Sequence, residues 1–269
     1  MATGVRCASW SIVNTQTLLR QYLRRIGLEE TPKPDPEGLA SLHHHHLLHV
    51  PFENLSIHAN EPIELVDSFL LDKIVARRRG GLCYELNGAF AWLVKHLGFQ
   101  SHLVSAEVVR NDGSYTPQHD HMAIFVDGKV PLLADVGFGD SFRYPLKLIP
   151  NLVQEEPGRA YRLSKDSGKL LLQQAILGGP WVDVFRFSLE PRDYPDFLGM
   201  CSYHMSSPDS HFQKAPMASM ATAKGRITAS GRKFICTGLD GSRDEQPIES
   251  DAHFDQILQE HFGITNWRI

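Results

Sequence analysis

The chain has 269 residues, 42% of them hydrophobic and 22% charged, with a formal net charge of −4. That length can bury a full core in one large domain or a few small ones, and the composition is that of a soluble globular protein. A mildly acidic chain is not built to wrap nucleic acid or to lie on an anionic membrane, and no apolar run approaches the length of a spanning helix. Cys7, Cys83, Cys201 and Cys236 are widely spaced and form no CxxC pair, which favours free thiols in a reducing, cytoplasmic setting. Met1 to Arg6 lead into no apolar core or cleavage site, so no signal peptide is expected.

Thr15 to Gly27 predict a first helix, with Leu18, Leu19, Tyr22, Leu23 and Ile26 along one side and Gly27 as its stop. A link bearing Pro32, Pro34 and Pro36 leads to a second helix, from about Glu37 to His46, that contains the run His43-His44-His45-His46. His43 and His46 share a helical face, which raises metal binding. No nearby carboxylate or cysteine completes a ligand set, so surface or capping histidines are expected. In Pro51-Phe52-Glu53-Asn54-Leu55, Glu53 stands among apolar residues and calls for a cation. Arg79 is the candidate, and the pair is read as holding the next loop in place.

That next stretch, Arg79-Gly80-Gly81-Leu82-Cys83-Tyr84-Glu85-Leu86-Asn87-Gly88, organises the chain. The glycine pair allows a sharp turn. Leu82, Leu86, Ala89, Phe90, Leu93, Val94 and Leu97 then form an apolar helical repeat that Gly98 stops. Cys83 falls in the first turn, where unpaired N–H groups and the positive end of the dipole favour a thiolate, and Arg77, Arg78 and Arg79 add positive potential. A free cysteine is most often a small buried hydrophobe. A second stretch argues for more.

Ser101 to Arg110 reads as a strand and Asn111-Asp112-Gly113-Ser114 as a turn. Met122 to Val126 and Val130 to Val136 flank Asp127-Gly128-Lys129, a hairpin signal. With a three-residue loop, Val126 pairs with Val130 and His121 lies directly opposite Asp135; with a two-residue loop, Asp135 points to the other face. In the first register the carboxylate orients the imidazole and stabilises its charged form. Cys83, His121 and Asp135 then supply nucleophile, base and orienter. His119, on the same strand face as His121, is the competing base. Asp135-Val136-Gly137-Phe138-Gly139-Asp140 closes the hairpin with glycines that let a ligand approach the backbone. Alternating segments between Tyr161 and Leu189 suit a mostly antiparallel, barrel-like sheet. A change of domain is read near Pro195 to Cys201, followed by short strands and a final helix from Phe254 to Phe262.

Arg79 to Asn87, Val50 to Leu55 and Asp135 to Gly139 together resemble the signatures of the arylamine N-acetyltransferases. Further matches lie at Tyr22 to Gly27, Leu42-His43 with His46, His121-Met122, Ser207-Pro208 to Phe212, and Phe262-Gly263-Ile264, in the family's order over most of the chain. The resemblance implies an α+β fold on a cysteine-protease-like scaffold. Its parts are an N-terminal helical bundle carrying Cys83 (residues 1–98), a central antiparallel β-barrel carrying His121 and Asp135 (99–200) and a C-terminal α/β lid (201–269). It also implies ping-pong transfer of acetyl from acetyl-CoA, through acetyl-Cys83, to arylamines, arylhydroxylamines and hydrazines, in xenobiotic metabolism. By position, Phe52, Phe138 and Phe212 correspond to residues lining the acceptor pocket, and Gly139 to the point where the CoA donor approaches the cysteine. The expected partners are an aromatic amine or hydrazine and CoA, without metal, nucleic acid or membrane. An amide synthase or thiol hydrolase using the same three residues is the alternative. Many members carry an asparagine shortly before the serine-proline loop, and Cys201-Ser202-Tyr203-His204-Met205 offers none.

Overall fold

Asn14 accepts a hydrogen bond from the Gln16 N–H at 3.0 Å and opens α1 (Thr15–Arg25), the first element of a computed structural model that describes residues 14–268. The expectation for Met1 to Arg6, and Cys7, lie outside those residues. Asp35 caps α2 (Pro36–His49) by accepting from the Gly38 N–H at 2.8 Å, with Pro36 in the first turn where its missing N–H costs nothing. The helix runs on to His49 rather than ending at His46, because Val50-Pro51 is the first step that breaks it. Next come β1 (Phe52–Glu53), α3 (Leu55–His58), and α4 (Asp67–Leu71), which passes into a π-helical turn, and then α5 (Cys83–His96). Tyr22, Ile26, Leu39, Leu42, Leu86, Phe90 and Leu93 form the core of this helical part.

Buried Arg25 secures its loops. The guanidinium donates to Ile74 O at 3.0 Å, to Arg78 O at 3.2 Å and to His49 O, satisfying carbonyls from three segments at once. Burial, with the nearby Arg78 charge, lowers its pKa to about 10, still far above neutrality, so it stays charged.

β2 (Ser101–Val108), β3 (His121–Val126), β4 (Leu132–Ala134), β5 (Leu146–Lys147), β6 (Gln154–Glu156), β7 (Arg159–Asp166), β8 (Lys169–Ile176) and β9 (Val182–Phe187) form one sheet. Its order is β5-β4-β3-β2-β9-β8-β7-β6, antiparallel throughout, and it curls into the expected barrel. Val104, Ala123, Leu133, Tyr161, Leu172, Phe185 and Phe187 fill its interior. After α6 (Tyr194–Ser206), β10 (Met217–Thr222), β11 (Gly225–Ser230), β12 (Lys233–Gly238) and β13 (Arg243–Pro247) make a second antiparallel sheet, whose β10 pairs with β1. Phe254, Ile257, Leu258 and Phe262 of α7 (Asp251–Phe262) pack in one cluster with Ala229 and Phe234 of that sheet. The fold is the α+β arrangement of helices, barrel and second sheet that the resemblance implied. Among the described residues no helix is long and apolar enough to cross a membrane.

The β3–β4 hairpin departs from the expected register. Val126 pairs with Leu132 rather than Val130, so the loop takes in residues 127–131. Pro131 has no N–H to give to the ladder, and pairing begins at the next residue. The step from Val130 to Leu132 is even, so every side chain keeps its face. Asp135 thereby becomes the diagonal neighbour of His121 instead of the direct one, still within side-chain reach.

Candidate active site

Cys83 is the first residue of α5 and is almost fully buried. Glu85 Oε2 accepts from the Leu82 N–H at 2.9 Å, and the helical bonds begin with Glu85 N–H to Leu82 O at 3.0 Å. The loop before it is held from β1, where the Glu53 N–H donates to Gly81 O at 3.0 Å. The Glu53 side chain meets Arg79 at 2.8 Å with both groups buried, as the sequence predicted. The arginines do not act as free positive charge, however. Arg79 is paired with Glu53, Arg77 pairs with Glu61 and Asp72, and Arg78 is exposed.

His121 opens β3, and its Nε2–H donates to Asp135 Oδ2 at 2.7 Å. That leaves Nδ1 as the ring nitrogen without a carboxylate partner, and the nearby Cys83 side chain adds to the forces on the imidazole. Burial alone pulls the imidazole pKa down, but the Asp135 charge, its hydrogen bond and Cys83 together raise it to about 10. Burial pushes Asp135 up, and the His121 charge with hydrogen bonds from His121, Asn87 and Gly137 outweighs it, holding the carboxyl below its usual range. The pair is ionised at neutral pH.

Three residues hold Asp135 that sequence reasoning did not assign this role. Asn87, one helical turn after Cys83, donates to Asp135 Oδ1 at 2.8 Å and to Met122 O at 2.6 Å, and accepts from the Val136 N–H at 2.9 Å. Its spacing from Cys83 was the available signal, since residues a turn apart share a face. The Gly137 N–H donates to Asp135 Oδ1 at 2.9 Å. A Cβ at Gly137 would stand 2.7 Å from the Cys83 Cα, so only glycine lets the end of the hairpin approach the cysteine this closely. His43 Nε2 accepts the Asp135 N–H at 3.1 Å while its Nδ1–H donates to Arg143 O at 2.9 Å. Burial lowers the His43 pKa to about 4, so it works as a neutral ring.

His43 thus corrects the expectation of surface histidines. His43 and His46 are fully buried, His46 meeting the Tyr22 hydroxyl at 3.1 Å, because α2 packs against neighbours on more than one side. Among the described residues no group of three His, Cys, Asp or Glu side chains is placed to hold a metal ion. The competing base, His119, lies away from Asp135, edge-on to Phe197. Cys201, Cys83 and Cys236 are free thiols. Burial, followed by Glu85 and Cys83, pushes the Cys201 thiol up to about 12 and keeps it protonated.

Cys83 and His121 open onto a cavity of about 1220 Å³ whose lining includes Phe52, Phe138, Gly139 and Phe212. Phe138 stands edge-on to His121 at 5.0 Å and Phe52 tilts against Phe212 at 5.8 Å. Asn54 fixes the Phe212 loop, donating to Phe212 O at 2.8 Å and Ala215 O at 2.9 Å. Gly139, at φ +90, has a conformation that side chains disfavour, with open space where a Cβ would stand.

A family model described as N-acetyltransferase matches residues 35–266. The chain is 33% identical over 253 residues to an arylamine N-acetyltransferase of Mycolicibacterium smegmatis, covering 90% of each chain. It is 32% identical over 278 residues to a pineal-gland isozyme of Gallus gallus, covering 92% of this chain and 94% of that one. The Mycobacterium marinum arylamine N-acetyltransferase solved in complex with CoA superposes with a TM-score of 0.85 at 30% identity, covering 91% of this chain and 92% of that one. With the fold, the buried cysteine and the aromatic cavity already in view, these likenesses leave one assignment: the chain belongs to the arylamine N-acetyltransferases, a family of acyltransferase enzymes.

Proposed function

We propose that this enzyme carries acetyl from acetyl-CoA to arylamines, arylhydroxylamines and hydrazines by a ping-pong route through acetyl-Cys83. The observation that carries the reading is the 2.7 Å bond from His121 to Asp135, which leaves the other ring nitrogen free, in one cavity with a cysteine at a helix start. His121 enters the reaction already charged, carrying the thiol's proton on Nδ1, and the Cys83 sulfur beside it attacks the thioester carbonyl. The first N–H groups of α5, which precede the helical bonds, stabilise the oxyanion. The bond to the CoA sulfur breaks, CoA leaves with the proton from His121, and acetyl-Cys83 remains. An amine then attacks that thioester, His121 accepts its proton, and the thiolate departs.

Phe52, Phe138 and Phe212 form the acceptor surface and Gly139 the point of CoA approach. The cavity exceeds the roughly 300–1,000 Å³ of an ordinary ligand pocket, as a site for a long donor and an aromatic acceptor requires. We also propose the three-part division of the chain, with the second junction placed after α6, since that helix crosses residue 200 unbroken. Isotope exchange tests the scheme. Labelled CoA is expected to enter acetyl-CoA in the absence of any amine, with exchange abolished in Cys83→Ala. Acetyl-CoA consumed without exchange would replace transfer by hydrolysis.

A further inference from the structure

The residue before His121 belongs to a second acid–base pair that the acetyl-transfer scheme does not use. His204 Nε2 and Asp120 Oδ1 are 3.1 Å apart, and His204 Nδ1 lies 3.1 Å from Ser210 Oγ. Ser210 Oγ accepts from the Phe212 N–H at 3.3 Å, so its own hydroxyl is free to donate to Nδ1, and Nε2–H faces the carboxylate. The His204 side chain is 4% exposed and that of Asp120 11%, so the aspartate is the more open member of a pair that lines the cavity. Burial pushes the Asp120 carboxyl up, and hydrogen bonds from His204 and Thr116 outweigh it, holding its pKa below the usual range.

The surroundings place this pair at the acceptor surface. The Asp120 carbonyl lies 4.0 Å from Cys83 Sγ and accepts from the Tyr84 hydroxyl at 2.9 Å, which fixes the residue beside the nucleophile. His204 stands edge-on to Phe212 at 5.0 Å, and Phe212 contacts His211 at 3.8 Å. Asp120, His204, Phe212 and Cys83 line the same cavity. An aromatic ring seated on Phe212 therefore shares the cavity of Cys83 with a fixed anion held by the histidine that packs on Phe212.

We propose that Asp120, positioned by His204, selects the acceptor: it favours aromatic amines and hydrazines that carry a second hydrogen-bond donor or a positive charge, and rejects those that carry a carboxylate. The inference rests on the transferase reading and adds the class of acceptor to it. A donor on the substrate gains a charge-assisted bond to Asp120. A carboxylate placed there meets a like charge with little water to screen it. Lys214 lines the same cavity and stays in place when Asp120 is changed.

The test compares kcat/KM for 4-aminobenzamide and 4-aminobenzoate, two acceptors of one shape that differ in donor and charge, in the unmodified enzyme and in Asp120→Asn. Taking the ratio within each protein cancels any general loss of activity. The unmodified enzyme is expected to prefer the amide, and Asp120→Asn to lower the amide-to-acid ratio about tenfold. A preference for the benzoate in the unmodified enzyme, or an unchanged ratio in the variant, overturns the assignment. Acetylation of Cys83 without acceptor, read by intact mass in the unmodified enzyme, separates the two levels. If the acetyl-enzyme forms and the ratio does not move, the specificity assignment alone fails; if no acetyl-enzyme forms, the transferase reading fails with it.

Discussion

Asp135→Asn is expected to lower kcat/KM for arylamine acetylation by about 10³–10⁴-fold with the fold retained. The direction follows from which atom of the new amide can face which partner. Asp135 Oδ1 accepts from Asn87 Nδ2 and from the Gly137 N–H, so that position must remain a carbonyl oxygen. The amide NH₂ is then forced to the Oδ2 position, 2.7 Å from His121 Nε2. Nε2 becomes an acceptor and the proton moves to Nδ1, the nitrogen that the proposed mechanism needs free for the Cys83 proton. The ring is in place, but in the wrong tautomer.

The same substitution changes how stability depends on pH. The folded His121 pKa is raised to about 10, so its contribution is fully present below the unfolded value of about 6.5 and is lost as pH rises through about 10. Asp135 is lowered, so its contribution is present above the unfolded value and is lost as pH falls through the folded one. Urea unfolding at pH 7 and pH 10 should show a larger alkaline loss in the wild type than in Asp135→Asn. Equal losses would mean that the carboxylate does not set the imidazole's charge.

The second large effect is on the fold. Glu53→Ala leaves the Arg79 guanidinium buried without its main partner, a change that costs about 3–5 kcal/mol. It also removes the acceptor of the Leu55 N–H, 2.7 Å from Glu53 Oε2. Glu61, 3.7 Å from Arg79, compensates in part and puts the loss toward the lower end. For a chain of this size the melting temperature should fall by roughly 10 °C, measured by calorimetry. A fall of a degree or two would show that Glu61 replaces Glu53. Glu53→Gln, which keeps the shape and an acceptor, should lose less.

The parts of the site that were legible are those set by short-range periodicity. Cys83 at a helix start follows from the glycine pair and the apolar repeat behind it. His121 and Asp135 on one face follow from the two-residue strand period, which survived an error in the loop because the register step was even. The loop itself turned on Pro131, whose missing N–H decides where pairing begins. What stayed hidden depends on contacts between distant segments. His43 reads as polar until α2 is seen packed against the hairpin end, where a neutral imidazole is what the Asp135 backbone needs. The arginine run reads as positive until Glu53, Glu61 and Asp72 neutralise much of it. Asp120, in the turn before β3, and His204, on α6, are far apart in the chain, and no spacing links them.

The most direct test of the covalent mechanism is the intact mass of the protein after mixing with acetyl-CoA and no acceptor, beside Cys83→Ala. The mechanism predicts the gain of a single acetyl group in the wild type, none in the variant, and its discharge on adding aniline. An acetyl group gained equally by Cys83→Ala, or no gain in the wild type while acetyl transfer to aniline proceeds, would contradict it.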